Sequence, residues 1–141
     1  MNRAHRRSAV VAEAMSWLGT GYHHHARIKG VGVDCAQLLC AVFETCGHVG
    51  PIDLGNYPPQ WHLHHHAELY LGWLEKVGAH EVQAPEPGDI AVFQFGRCYS
   101  HGAIVVDTGL LLHSYLGRGV HLSRDTEAPL AGRPIKYWSI F

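Results

Sequence analysis

Gly30-Val31-Gly32-Val33-Asp34-Cys35-Ala36-Gln37-Leu38-Leu39 puts a cysteine where a helix should begin. Apolar residues then recur at Cys35, Leu38, Leu39, Val42, Phe43 and Cys46, the spacing of one helix face. Asp34 is a good N-cap, and Gly47 is a natural stop after the last periodic residue. A thiol on the first helical turn lies beside unpaired backbone N–H groups and the positive end of the helix dipole. Both favour thiolate over thiol, so the sequence predicts a lowered pKa and a candidate nucleophile, provided that a base can reach it.

On the N-terminal side, residues 8–18 read as an amphipathic helix with Val10, Val11, Ala14, Trp17 and Leu18 inward, closed by Gly19 and Gly21. A loop with Tyr22 and His23-His24-His25 leads into the cysteine helix. On the C-terminal side, Gly47, Gly50, Pro51, Gly55, Pro58 and Pro59 are too many breakers for regular structure. A third helix is predicted over residues 62–77. Beyond the turn Pro85-Glu86-Pro87-Gly88-Asp89 the pattern becomes β-prone at 90–95, 101–106, 110–115, 120–122 and 135–141, which suggests an antiparallel meander. Helices first and strands second give an α+β class, with the N-terminal helices packed on the meander in one domain over residues 1–141.

Composition bounds the function. The 141 residues are 47% apolar and 16% charged, which fits an ordered chain with a real core. Eleven basic against twelve acidic side chains leave a net charge of −1. There is no basic stripe with interleaved aromatics, so no nucleic-acid partner is expected. Arg3, Arg6 and Arg7 precede a short apolar stretch, but Glu13 and Trp17 interrupt it with helical periodicity. No signal peptide and no membrane span are therefore expected. Cys35, Cys40, Cys46 and Cys98 form no CxxC pair and read as free thiols made in a reducing cytoplasm.

Two of the thirteen histidines, His101 and His113, fall inside predicted strands among apolar neighbours. Asp107-Thr108-Gly109 suits a three-residue hairpin loop with glycine in the left-handed position. Such a loop pairs Val106 with Leu110, Ala103 with His113, and His101 with Tyr115. His101 and His113 then share a face as diagonal neighbours roughly 7–8 Å apart at the backbone. A two-residue loop would set them on opposite faces. With the cysteine helix on that face, Cys35 could attack a carbonyl, His101 could move the proton, and His113 could orient His101. The Cys35 N–H is placed to stabilise an oxyanion.

Four segments carry a resemblance. Val33-Asp34-Cys35-Ala36-Gln37-Leu38-Leu39, Pro87-Gly88-Asp89-Ile90-Ala91-Val92-Phe93, Ser100-His101-Gly102-Ala103-Ile104-Val105 and Leu112-His113-Ser114-Tyr115 resemble the NlpC-type cell-wall cysteine peptidases. Tyr22-His23-His24-His25, Tyr57-Pro58-Pro59 and Trp61-His62-Leu63 are similar to the branch associated with phage tails. The resemblance spans nearly the whole chain, in order. It implies a compact papain-like fold, catalytic Cys35, His101 and His113, and substrate contacts at Tyr22, Asp34 and Ser100. The implied reaction is hydrolysis of peptidoglycan stem peptides, often between D-glutamate and a diamino acid, without a cofactor. The implied partners are the stem peptide and the tail-tip proteins of a phage-type particle that carries the enzyme to the target wall. Gln37 departs from the glycine of many relatives, and no accessory wall-binding segment is recognisable.

Each residue also has an ordinary reading. Cys35 could be core, His101 and His113 buried strand histidines, Asp34 only a cap, and Tyr22 a packing aromatic. The runs His23-His24-His25 and His64-His65-His66, and Cys98 with His101, could be taken for zinc ligands, but adjacent histidines point apart and no intrinsic metal site is expected. Two other functions fit the same fold: a structural tail component with weak or lost activity, and a thiol-dependent acyltransferase or amidase.

Overall fold

The structure is a computed structural model and describes residues 2–59 and 68–141. Helix α1 runs Arg3–Met15, β1 is Arg27–Ile28, β2 is Gly32–Val33, and α2 is Cys35–Thr45. Helix α3, Leu69–Lys76, is followed by β3 (His80–Val82), β4 (Ile90–Phe95), β5 (Cys98–Asp107), β6 (Leu110–Tyr115), β7 (Gly119–Arg124) and β8 (Ile135–Ser139). The α+β class and the antiparallel sheet agree with the sequence reading. Strands β4 to β7 form the meander, but the six-stranded order β3-β8-β4-β5-β6-β7 returns the C-terminal strand to the far side of β4. The short strand β3 has no clear signal in the sequence; it pairs with β8 through Glu81↔Trp138 at the edge.

Helix α1 starts earlier than the apolar pattern suggests. The Asn2 side chain accepts from the His5 N–H at 2.9 Å, an N-cap that adds a polar first turn. Arg7, on this extension, donates to Asp89 at 2.8 Å and to the Pro87 carbonyl at 3.1 Å, tying α1 to the turn that launches β4. Of the predicted helix over 62–77, residues 69–76 are helical, while 62–67, with Trp61, lie outside the described residues.

Helix α2 begins and ends where its caps place it, with Asp34 before Cys35 and Cys46 as C-cap. Every residue from Ala36 to Phe43 is buried, so this is a central helix rather than a one-faced amphipathic one. Its apolar side chains join Val10 and Ala14 of α1 and Val92, Ile104, Leu112, Val120 and Trp138 of the sheet in the main core. A smaller core on the other side of the sheet holds Phe93, Ala103, Val105, Leu111 and Leu130. Among the described residues, no helix is long and apolar enough to cross a membrane.

The β5–β6 hairpin corrects one expectation. The rung nearest the turn is Asp107↔Leu110, not Val106 with Leu110, and the register shifts between Val105 and Asp107. Gly109 does take the left-handed conformation, with φ 68°. The offset at Val106 cancels the tighter turn, so Val105↔Leu111 and Ile104↔Leu112 keep the predicted register. His101 and His113 therefore fall on the same side although the loop is not the one expected, but it is the side of Phe93, Ala103 and Leu111, not the face on which α2 packs as the sequence reading supposed.

Candidate active site

The cysteine is positioned by main chain and by its cap. Asp34 is 2% exposed and its carboxylate is fully engaged. One oxygen accepts from the Gln37 N–H at 2.8 Å, closing the helix; the other accepts from the His25 N–H at 2.8 Å and the Tyr57 hydroxyl at 2.5 Å. A second strap holds β2: the Ser114 hydroxyl donates to the Val33 carbonyl at 2.7 Å, and Tyr22 bridges to Val33 in parallel. The residues flanking Cys35 are thereby tied to β6 and to the loop at Tyr57.

The Cys35 sulfur lies against the backbone of β5. Its S–H donates to the Ser100 carbonyl at 3.8 Å, and the Gly102 N–H faces it from the other side of His101. The β5–β6 pairing ends at Ile104↔Leu112, and the sulfur meets β5 beyond that last rung. Tyr70 of α3 completes the contact. Its hydroxyl donates to the Cys35 carbonyl at 3.3 Å, and a Cβ on Gly102 would collide with the same oxygen. Only a glycine lets strand, helix start and tyrosine meet this closely.

Burial reverses the expected acidity of the thiol. Desolvation first, and the Asp34 carboxylate second, push the Cys35 pKa up to about 12, against a smaller downward pull from the N–H groups of Gly102, Cys35 and Ala36. The helix N-terminus works in the anticipated direction but is outweighed. The resting sulfur is a thiol, so it needs a base.

Imidazole side chains carry the other half of the site. His101 Nε2 and His113 Nδ1 are 2.7 Å apart. His113 is fully buried and in turn meets the Ser123 hydroxyl through Nε2 at 2.9 Å. Phe95 and Tyr115 flank the His101 ring at centroid distances of 5.0 and 5.6 Å. Desolvation, then the neighbouring His121 and Arg118, lower the His113 pKa to about 3, so this ring stays neutral and keeps a lone pair for its partner. With Nε2 of His101 engaged by His113, Nδ1 is the ring nitrogen outside that pair.

A cleft of about 170 Å³ opens over these groups. Cys35, His101, Tyr22, Asp34 and Ser100 all line it, while His113 sits behind His101. The five predicted wall residues therefore share one cavity. The Ser100 hydroxyl is buried without a hydrogen-bond partner, a polar atom in the cleft wall. Sequence reasoning gives no role to the aromatic walls Tyr57, Trp73, Phe95 and Tyr115, or to Ser123 behind His113. Tyr57 carries a signal in the Tyr57-Pro58-Pro59 segment; Ser123 carries none.

The first histidine run is structural. Nε2 of His24 and Nε2 of His25 both meet the Tyr57 carbonyl, at 3.0 and 2.9 Å, and His25 stacks on the Tyr57 ring at 4.0 Å. These contacts close the loop over the Asp34 cap. The run at 64–66 lies outside the described residues. Among the described residues, no three His, Cys, Asp or Glu side chains are grouped to hold a metal ion.

No family model matches the sequence, and no curated protein is similar to it at the sequence level. Solved structures are similar in fold. The NlpC/p60 domain of the peptidoglycan hydrolase SagA superposes with a TM-score of 0.63 and 20% identity over 92% of this chain and 96% of that one. The peptidoglycan hydrolase RipB of Mycobacterium tuberculosis gives 0.65 and 17% identity, over 100% of this chain and 69% of that one. An NLP/P60-family protein of Staphylococcus aureus gives 0.64 and 14%, over 96% of this chain but 42% of its own. The compact α+β arrangement is the fold of NlpC/p60 domains.

Proposed function

We propose that this protein is a cysteine endopeptidase that hydrolyses peptidoglycan stem peptides. The observation that carries the reading is the convergence of the Cys35 thiol and the His101–His113 pair on one cleft, within a fold shared with peptidoglycan hydrolases. In this reading His101 Nδ1 accepts the thiol proton as sulfur attacks the scissile carbonyl. The neutral His113 holds the resulting imidazolium in place through Nε2 of His101. The oxyanion that forms draws on the main-chain N–H groups around the sulfur, including that of Cys35. The carbonyl–nitrogen bond breaks, the leaving amine takes the proton from His101, and a thioester remains. Water then attacks the thioester with His101 as base, releasing the carboxylate product and restoring the thiol.

The roles of the wall residues belong to the same proposal. The Ser100 hydroxyl is a buried donor and acceptor with no protein partner in a cleft wall, fitted to a substrate amide. Tyr22 lines the same cleft. Asp34 acts chiefly by holding the helix start and Tyr57, since its lone pairs are already committed. For the bond cut we propose the link between D-glutamate and a diamino acid, following the motif resemblance. The same resemblance, at residues 22–25 and 57–59, supports delivery by a phage-type tail to the wall of a target cell. The test is digestion of defined muropeptides with fragment masses. Wild-type protein should cut at one stem-peptide bond and Cys35→Ala should cut none while keeping its circular dichroism. Cleavage unchanged in that variant would rule out the mechanism.

A further inference from the structure

Heavy-atom distances leave two proton arrangements for the imidazole pair, and only one of them can work as a base. In the first, His113 carries its proton on Nε2, accepts at Nδ1 from His101 Nε2–H, and leaves His101 Nδ1 with a lone pair. In the second, His113 carries its proton on Nδ1 and donates to His101 Nε2. His101 must then hold its own proton on Nδ1, where it cannot accept another. At the far end of the chain of rings His113 Nε2 meets Ser123 Oγ at 2.9 Å, and the first arrangement needs that oxygen as the acceptor of the Nε2–H.

We infer that Ser123 is a positioning residue whose hydroxyl accepts the His113 Nε2–H and thereby keeps His101 in the tautomer able to take the Cys35 proton. This rests on the reading of Cys35, His101 and His113 as nucleophile, base and orienter. Ser123 is 3% exposed and His113 fully buried, so solvent does not share this bond. On the sheet the pair is diagonal: His113 lies opposite His121, and Ser123 lies opposite Leu111, two residues further along β7. The register of β6 against β7 therefore sets the distance. The nearest other ring, His121, has its centroid 4.4 Å from that of His113, but its Nδ1 is committed to the Gly119 carbonyl at 2.9 Å and its buried Nε2 makes no hydrogen bond to His113 or to any other described residue. Without the serine oxygen, an Nε2–H would be a buried donor with no acceptor. The proton would move to Nδ1, where His101 can accept it, and the base would be switched off.

The test needs no wall substrate. Long-range nitrogen–proton NMR of the full chain reads the His113 tautomer, and iodoacetamide alkylation at pH 7, followed at the Cys35 peptide by mass, reads the base. Wild-type His113 should be protonated on Nε2. Ser123→Ala should shift it to Nδ1 and slow alkylation by roughly ten- to a hundredfold, the cost of orphaning one buried donor. Ser123→Thr, which restores the oxygen, should recover both. A wild-type proton on Nδ1, or a Ser123→Ala protein that keeps Nε2–H and the wild-type alkylation rate, would overturn the inference. Muropeptide cleavage is scored separately. The tautomer switch in a protein that cuts no wall peptide supports this inference and removes the hydrolase reading; cleavage without the switch does the reverse.

Discussion

On the cysteine side of the cleft the reactive atom is held by main chain. Its sulfur rests between the Ser100 carbonyl and the Gly102 N–H, under a helix cap whose carboxylate raises its pKa. On the histidine side, rings hold one another through ring nitrogens, and the deepest of them, His113, is kept uncharged by burial. One half therefore resists losing its proton and the other resists holding a permanent charge. In the proposed reaction the proton therefore moves only during attack, instead of a thiolate–imidazolium pair standing ready at rest. The contrast also explains why a helix N-terminus alone does not make a cysteine reactive: about half a unit of positive charge at its end is outweighed by desolvation beside a carboxylate.

The largest expected break in this contrast is His101→Ala. It leaves the thiol in place and removes its acceptor, so muropeptide turnover should fall roughly a thousandfold while the melting temperature changes little. A variant retaining a tenth of wild-type turnover would mean that another group takes the proton.

Acid stability tests the buried ring next. An unfolded histidine takes up a proton near pH 6.5, whereas folded His113 does not until about pH 3. Stability is thus intact above pH 6.5 and is lost as pH falls from there to about 3, by roughly 4–5 kcal/mol from this residue. Urea unfolding at stepwise lower pH should show that slope, and His113→Asn should flatten it. Equal slopes in both proteins would place the acid sensitivity elsewhere.

Much of this arrangement is legible in the sequence because its signals are local. Asp34 and Gly47 bracket the cysteine helix by capping chemistry, and the β-prone runs at 90–95 and 110–115 give those strands to the residue. The hairpin register agrees for a different reason: the offset at Val106 performs what a longer loop would do. What escapes sequence reading depends on distant chain. The rise in the Cys35 pKa comes from desolvation under α3 and β5, and the Ser123 contact depends on how β7 pairs with β6. The histidine run at 23–25 invites a metal reading from sequence, and the partner that explains it, the Tyr57 carbonyl, lies more than thirty residues away.

A smaller effect should come from Gly102→Ala. The added methyl meets the Tyr70 hydroxyl and its ring carbon well inside van der Waals contact, so helix and strand must part. A loss of about 1–3 kcal/mol in denaturant titration is expected, with Tyr70→Phe relieving it only in part because the ring remains. Full stability in Gly102→Ala would show a looser junction between α3 and β5.

Asp34→Asn probes the cysteine half together with the His25 and Tyr57 contacts that the second carboxylate oxygen makes. Asparagine keeps the N-cap but removes the charge that opposes the thiolate, so the thiolate fraction at pH 7 should rise by up to about tenfold. The alkylation rate of Cys35 should rise with it. A rate that falls instead would make the carboxylate an activator of the thiol.

The pairing of Cys35 with His101 is tested most directly by the pH dependence of iodoacetamide alkylation at Cys35, in wild-type protein and in His101→Ala, read by peptide mass. Wild-type alkylation should be measurable at pH 7 and should depend on the imidazole. In the variant only the slow reaction of a buried thiol with a pKa of about 12 should remain, rising steeply toward alkaline pH. Superimposable profiles for the two proteins would contradict the pairing, because the sulfur and the ring would then have no chemical connection.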